Sequence, residues 1–371
     1  MKPITLIHFA ELFLKGKNRD WFVQKLVRNI NRICGGKVIK RHSYLLLERG
    51  KPENLRFVPG ISWWGRGYVV KKEFETIKQA CKKLLLEKKP GNFKLEIKRS
   101  DKTFPFSSKE LAIKLGSALE KELKIKAELE NPKFFIFIEI QQEEAVVVKE
   151  KIKGLSGLPV STSGKGLLLF SGGIDSPVAG HLMQRRGMHI DLVHFHVFTK
   201  AEKLKETKIF ELAKILAKFQ AKIRLFAVPY YLFQMKALEF ESDELVLFRR
   251  FMLKVAERLA KETGAKALIT GDSLGQVASQ TIENLQATDS AVKTIVLRPL
   301  IGLDKEQIVK IAKEIGSFEP SIKPYKDCCS IITKKAKTRS NLKKLEEIEE
   351  RIGIEKLVEE TVKLTEEIKI A

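Results

Sequence analysis

Cysteine is scarce in this 371-residue chain and poorly spaced for metal or disulfide work. Cys34, Cys81 and the adjacent Cys328 and Cys329 form no CxxC zinc pair and no secreted disulfide framework. Their default reading is small buried apolar side chains. Long apolar runs are missing too: none reaches the ~20 residues that cross a bilayer, which argues against a transmembrane helix. His8 and Glu11 interrupt the first apolar stretch, so the N-terminus does not read as a secretory signal, and the expected location is cytoplasmic. A Walker A loop is also absent. Gly166 follows Gly164-Lys165 where Ser or Thr is needed, Pro159 stands at the leading glycine position, and Lys165 reads as part of a flexible linker. Acidic residues are short in one region. Residues 1–100 hold 24 Lys and Arg against 8 Asp and Glu, so 16 of the net +23 lie there, while residues 101–150 hold 8 against 10. Such a basic front end points to a polyanion partner and to binding that weakens as salt rises. The competing reading is lysine enrichment on solvated faces, a pattern that residues 101–150 and 340–371 do resemble.

What is present is enough chain for two or three domains. Residues 4–10 read as a strand, followed from Asn18 or Arg19 by a helix with Trp21, Phe22, Leu26 and Ile30 at helical spacing, stopped by Gly35-Gly36. Strands at 37–41 and 44–48, a short helix at 52–58 and a strand near 67–71 complete a βαββαβ, ferredoxin-like unit over residues 1–72. Trp63 and Trp64 have two readings, core packing or stacking on bases. Residues 73–153 form a second α/β unit: a helix at 76–88, a strand at 92–99, a helix capped by Ser107 or Ser108, and strands at 134–140 and 145–150. Residues 154–166 are Gly/Ser/Pro-rich and read as a linker. From 167 to 371 strands at 167–170, 191–197, 222–228 and 267–271 alternate with helices, the pattern of a doubly wound parallel sheet, and residues 340–371 read as a charged amphipathic helical tail. The expected fold class is a doubly wound α/β parallel-sheet domain preceded by a ferredoxin-like α+β domain and a second α/β domain.

The segment with most chemistry is Leu167-Leu-Leu-Phe-Ser-Gly-Gly-Ile-Asp-Ser176, an apolar strand that breaks into two glycines ahead of a helix. Glycine lets a backbone approach a ligand, and a helix start offers open N–H groups and a positive dipole end, so the natural ligand is a phosphate. This strand–SGGxDS–helix unit resembles the PP-loop of ATP pyrophosphatases. Lys98-Arg99-Ser-Asp-Lys102-Thr-Phe104-Pro, with Ser107-Ser108 and Gly116, resembles a THUMP domain, an RNA-binding module. Gly271-Asp-Ser-Leu-Gly-Gln-Val-Ala-Ser-Gln280-Thr, Arg298-Pro-Leu with Asp304-Lys305, and Asp327-Cys328-Cys329 complete a set that resembles, over essentially the whole chain, the tRNA 4-thiouridine synthetase (tRNA sulfurtransferase) family.

That resemblance implies ATP, with Mg²⁺, activating the C4 oxygen of uridine 8 of tRNA as an adenylate, and sulfur displacing AMP. It also implies a sulfur-carrier role in thiamine thiazole synthesis for many members. Ser171, Gly172, Gly173, Asp175 and Ser176 would hold the pyrophosphate, with Asp175 orienting the metal or the loop and Lys305 placing a positive charge on the departing phosphates. Family nucleotide positions map to Leu169, Phe170, His194, Phe195, Arg249, Gly271 and Gln280. Cys328 matches the persulfide cysteine, and lysines at 323 and 326 are expected to lower its pKa. Lys98, Arg99 and Lys102 would contact RNA. Some members carry a C-terminal rhodanese domain. This sequence ends at Ala371 without one, so the implied sulfur source is a separate cysteine desulfurase or another persulfide donor. An iron–sulfur route would need a third cysteine near the pair, and Cys34 and Cys81 lie in the early domains. A homodimer is the expected assembly. A different thiolation or amide-forming acceptor, or an RNA binder with a retired loop, are the alternatives.

Overall fold

The structure is a computed structural model that describes residues 1–237, 243–325, 328 and 338–371. The chain divides into two compact units, Met1–Leu158 and Pro159–Ala371.

In the first unit the chain runs through β1 (Lys2–Phe9), α1 (Arg19–Cys34), β2 (Lys37–Lys40), β3 (Leu45–Glu48) and β4 (Ile61–Val70). It continues through α2 (Phe74–Lys88), β5 (Asn92–Arg99), α3 (Ser108–Leu123), β6 (Lys126–Ala127), β7 (Phe135–Ile140), β8 (Ala145–Val148) and β9 (Ile152–Lys153). One nine-stranded sheet in the order β2-β3-β1-β4-β8-β7-β5-β6, with β9 on β4, carries both expected N-terminal domains. The seam is the antiparallel pairing of β4 with β8, Gly67 opposite Val148 to Val70 opposite Ala145. α1 buries Val23, Leu26, Ile30 and Cys34 along one stripe, as its spacing dictates. The second ferredoxin-like helix is only a short 3₁₀ turn, Pro52–Phe57. Of the two expected caps it is Ser107 that caps α3, in a capping box with Glu110.

β4 begins at Ile61, six residues before the expected start, and includes Trp63 and Trp64. Two glycines hid it, because glycine lowers strand propensity. Here they are obligatory: a Cβ at Gly65 would fall 2.1 Å from Glu150 O, and one at Gly67 1.9 Å from Val147 O. Trp64 is core, and Trp63 stacks on His8 with ring centroids 4.4 Å apart.

The second unit runs through β10 (Lys165–Leu169), α4 (Asp175–Arg185), β11 (His189–His196), α5 (Lys208–Ala217), β12 (Ile223–Pro229), α6 (Tyr231–Ala237) and α7 (Glu244–Thr263). After β13 (Ala267–Ile269), α8 (Ile282–Asp289), β14 (Ile295–Leu297), α9 (Lys305–Glu314) and α10 (Phe318–Ser321) come α11 (Leu342–Ile352), α12 (Ile354–Lys363) and β15 (Glu366–Ile370). Its sheet has the order β14-β13-β10-β11-β12-β15. All neighbours are parallel except β15, which is antiparallel to β12. β10 lies between β11, its successor, and β13, reached only after the chain has crossed back. That is the switch point at which doubly wound sheets bind ligands.

Two expectations need correction here. Lys165 belongs to β10 rather than to a flexible linker, with its Nζ 2.9 Å from Asp191 and 3.1 Å from the Thr263 carbonyl. The tail is not helical to its end. α11 and α12 give way to β15, whose Ile370 is buried opposite Ile223. The alternation Glu-Ile-Lys-Ile is strand-like, but five charged-and-apolar residues after two helices read as more helix. The tail is anchored by Arg250, 2% exposed, whose Nε and Nη2 donate to Glu349 at 2.8 and 2.9 Å.

Candidate active site

β10 ends at Leu169 and the chain turns through Phe170–Ile174 into α4. The turn is sterically forced. Gly172 has φ +78°, and a Cβ there would lie 2.3 Å from Ile209 Cδ1 on α5. Ser171 Oγ accepts from Gly173 N at 3.3 Å. Ile174 precedes α4 with no side-chain cap, so the first N–H groups of the helix face whatever lies in the turn. Gly271, just beyond β13, backs onto the start of α4; a Cβ there would come within 3.0 Å of Ser176 N.

These segments enclose a cavity of about 550 Å³, within the size range of a small-ligand site. Leu169, Phe170, Ser171, Asp175, Ser176, His194, Phe195, Arg249, Gly271, Gln280 and Cys328 all line it. Gly172 and Gly173 shape the turn beside it. Lys305, the first residue of α9 behind an Asp304–Gln307 capping box, reaches Asp175 Oδ1 at 2.6 Å. Gln276 Nε2 donates to the other oxygen, Oδ2, at 3.1 Å. The residues expected to hold a nucleotide therefore converge.

His194 is fixed in one tautomer. Its Nδ1 lies 2.6 Å from the Phe170 carbonyl, which can only accept, so Nδ1 carries the proton. Burial pulls its pKa down to about 4, and the neutral Nε2 accepts from the Tyr325 hydroxyl at 2.8 Å. Cys328 is 1% exposed, and its Sγ donates to the Phe195 carbonyl at 3.3 Å. The expected lysine beside the thiol is otherwise engaged: Lys323 Nζ is 2.6 Å from Glu211. Residues 326, 327 and 329, where Lys326, Asp327 and Cys329 fall, lie outside the described residues.

Sequence reasoning passed over the other half of the wall. Asp272, 4% exposed, accepts from Arg249 Nη2 at 2.7 Å, Thr270 Oγ1 at 2.7 Å, Arg298 Nε at 3.1 Å and Gln280 Nε2 at 3.3 Å. Burial alone would raise its pKa, but Arg249, Thr270 and Arg298 outweigh that and hold the carboxyl below the usual range. Arg298 also grips Asp289 at 2.5 and 2.9 Å. It emerges directly after β14, a three-residue strand that sequence reasoning did not assign. The signal was available: a polar residue at the C-terminal end of a parallel strand is where such sheets place function.

The RNA-binding expectations fall in the first unit. Lys98 and Lys102 are exposed, whereas Arg99 Nη1 donates to the Phe104 and Phe106 carbonyls at 3.2 and 3.0 Å and braces the loop. Cys34 and Cys81 are buried in that unit, the former with its pKa pushed up to about 12 by burial. No helix among the described residues is long and apolar enough to cross a membrane.

Comparison with known proteins agrees along the whole chain. The family described as "Thiamine biosynthesis protein (ThiI)" matches residues 161–354, a THUMP domain matches 71–148, and a ThiI ferredoxin-like domain matches 4–62. Proteins named as probable tRNA sulfurtransferases from Caldanaerobacter subterraneus and Clostridium kluyveri are each 39% identical. The first match covers 97% of this chain and 98% of the relative, the second 100% of both. The crystal structure of a 4-thiouridine synthetase–RNA complex with bound ATP is 34% identical, with a TM-score of 0.91 and full coverage of both chains. PH1313 from Pyrococcus horikoshii, 23% identical with a TM-score of 0.65 over 85% of this chain and 99% of that one, shares the fold. From its ferredoxin-like start through its THUMP segment to its nucleotide-sized cavity, this chain belongs to the ThiI family of tRNA sulfurtransferases.

Proposed function

We propose that this chain is an ATP-dependent tRNA sulfurtransferase that converts uridine 8 to 4-thiouridine. The observation that carries the reading is the meeting of Ser171–Ser176, Asp175–Lys305 and Cys328 around one cavity at the switch point of the sheet. The full-length likeness to a 4-thiouridine synthetase–RNA complex with bound ATP supports the substrates.

A carbonyl oxygen is a poor leaving group, so the base must be activated. The turn and the open end of α4 favour the triphosphate there, and Lys305 supplies charge as pyrophosphate departs. O4 of the uracil attacks the α-phosphorus and becomes part of an adenylate. The terminal sulfur of a Cys328 persulfide then attacks C4, and AMP leaves with the former O4. The link between thiolated base and Cys328 is released by a further thiol. Water would hydrolyse the adenylate, and the buried setting of Cys328 fits its exclusion.

The finer parts of the reading rest on chemistry. Mg²⁺ accompanying ATP would find one carboxylate, Asp175, in the turn. Among the described residues no cluster of three His, Cys, Asp or Glu side chains offers a metal cage. Phosphates and water would supply the other ligands, as suits magnesium. The persulfide comes from a cysteine desulfurase or comparable donor. The same persulfide serves thiazole synthesis, in line with the family's thiamine description. Lys98 and, on the loop that Arg99 braces, Lys102 bind tRNA with the basic residues 1–100, a homodimer is the working assembly, and the cytoplasm is where such a substrate resides. The division of labour is residues 1–72 and 73–153 for RNA and 167–371 for chemistry.

The test is unmodified tRNA incubated with the protein, ATP, Mg²⁺ and a persulfide donor, then digested to nucleosides. 4-Thiouridine at position 8 is expected. ATP binding without any thiolated nucleoside would overturn the reading.

A further inference from the structure

We infer that Asp272 is a positioning residue that fixes which atoms Gln280 and Arg249 present to the bound nucleotide. The inference rests on the reading of the cavity as the ATP site. Asp272 stands one residue beyond Gly271, and its two oxygens gather donors from four places: the end of β13, α7, the exit of β14 and the turn at Gln280. An ionised carboxylate only accepts. The Gln280 amide must therefore turn its NH₂ toward Asp272, which leaves the carbonyl Oε1 facing away. Among the described residues Oε1 is buried without a hydrogen-bond partner, and the same holds for Arg249 Nε and Ser176 Oγ. All three residues line the cavity.

Buried polar atoms without protein partners take one from elsewhere, and on the wall of a cavity a bound ligand can supply it. Gln280 Oε1 can only accept, so phosphate oxygens, which carry no proton at neutral pH, cannot satisfy it. Its partner is a hydrogen-bond donor on the adenosine part, either the exocyclic amine or a ribose hydroxyl. Arg249 Nε can only donate and takes an acceptor. Without Asp272 the amide is free to rotate and the guanidinium to swing.

Charge and position predict opposite outcomes, which makes the inference testable. Asp272→Asn removes a negative charge beside two guanidinium groups. By Coulomb's law alone the anionic ATP would bind more tightly. A positioning role predicts the reverse: roughly tenfold weaker binding of both ATP and uncharged adenosine, the effect of about one buried hydrogen bond. Titration calorimetry on the full chain reads both. In pyrophosphate release with tRNA, KM for ATP should rise by about the same factor with kcat nearly unchanged, whereas a merely unstable variant would lose kcat through a smaller active fraction. Tighter ATP binding, or unchanged adenosine binding, would overturn the inference.

If Asp272→Asn does not fold, Gln280→Met carries the test, since it keeps length and removes the acceptor. Adenosine should bind roughly tenfold more weakly, and an unchanged constant sinks the idea. Inosine and 2′- and 3′-deoxyadenosine on the wild-type chain identify the donor, because only the analogue lacking it should lose affinity. If none loses affinity, the acceptor role fails. A wild-type chain that binds no ATP would refute the proposed function itself. One that binds ATP and thiolates tRNA while the variants match it refutes only this inference.

Discussion

Lys305 Nζ sits 2.6 Å from Asp175 Oδ1, bridging 130 positions of sequence between the start of α9 and the start of α4. The lysine side chain is 47% exposed, so the pair contributes little to stability, of the order of 0–1 kcal/mol. Its placement beside the Ser171–Ser176 turn matters instead. Lys305→Met should leave the urea midpoint nearly unchanged while cutting the rate of pyrophosphate release at least ~10²-fold, the loss typical of removing a charge that meets a developing anion. A variant that releases pyrophosphate at near wild-type rate would show that the ion pair is structural only.

Cys328→Ala separates the two half-reactions. Because the thiol stands in the apolar core beside Phe195, alanine preserves packing there apart from one sulfur atom. ATP binding should persist, and 4-thiouridine in purified tRNA should fall to background. Continued thiolation by this variant, read by mass spectrometry, would remove the persulfide role.

At Gly172 the backbone and the neighbour both forbid a side chain. A positive φ costs a non-glycine residue about 1–2 kcal/mol, and the clash with Ile209 adds to it. Gly172→Ala is expected to lower unfolding free energy by at least ~1 kcal/mol and to abolish measurable ATP binding. Gly302, whose added Cβ would meet nothing, is the control position.

Acid should weaken the second unit through its buried histidines. Burial lowers His194 to about 4 and His181 to about 3, from an ordinary value near 6.5. Above pH 6.5 both states are neutral at these groups and nothing is lost. Between 6.5 and about 4 the unfolded chain takes up protons that the folded one refuses, so stability falls with pH, by up to about 1.4 kcal/mol per unit for each histidine. Urea unfolding from pH 8 to 4 should show this decline, and His181→Phe should reduce its slope. A flat profile would place these rings in contact with water.

Salt should report on the first unit. Each phosphate contact contributes about 0.7–0.9 to the slope of log affinity against log salt. Lys98→Ala with Lys102→Ala should therefore lower the slope for tRNA by up to about two contacts' worth. An unchanged slope would move the RNA interface away from this loop.

Much of this was legible in the sequence where local chemistry and fold agree. Two glycines after an apolar strand raise the expectation of a phosphate turn, and the structure places eleven of the expected site residues around one cavity because a doubly wound sheet gathers its strand ends. Asp272 was missed because its meaning is collective. It acquires a role only when Arg249, Gln280 and Arg298, far apart in the chain, arrive beside it. β4 was misjudged because Gly65 and Gly67 serve a neighbouring backbone that the sequence does not reveal. β15 escaped because a short edge strand is defined by the partner it finds, here β12. The environment of Cys328 was inferred from adjacent lysines, yet chain proximity says nothing of where a long flexible side chain ends.

The seam between β4 and β8 has a bearing on how this protein can be rebuilt. Residues 71–148 match a recognised module, which invites treating them as a cassette for grafting onto other enzymes. Cut at those limits, the piece would leave β8 with a naked flank along Ala145–Val148, and the remainder would keep β4 with the complementary scar. Both are sticky edges of the kind that drive strand-to-strand aggregation. A soluble fragment carrying the THUMP match should therefore be taken as Met1–Leu158, with the two modules left joined.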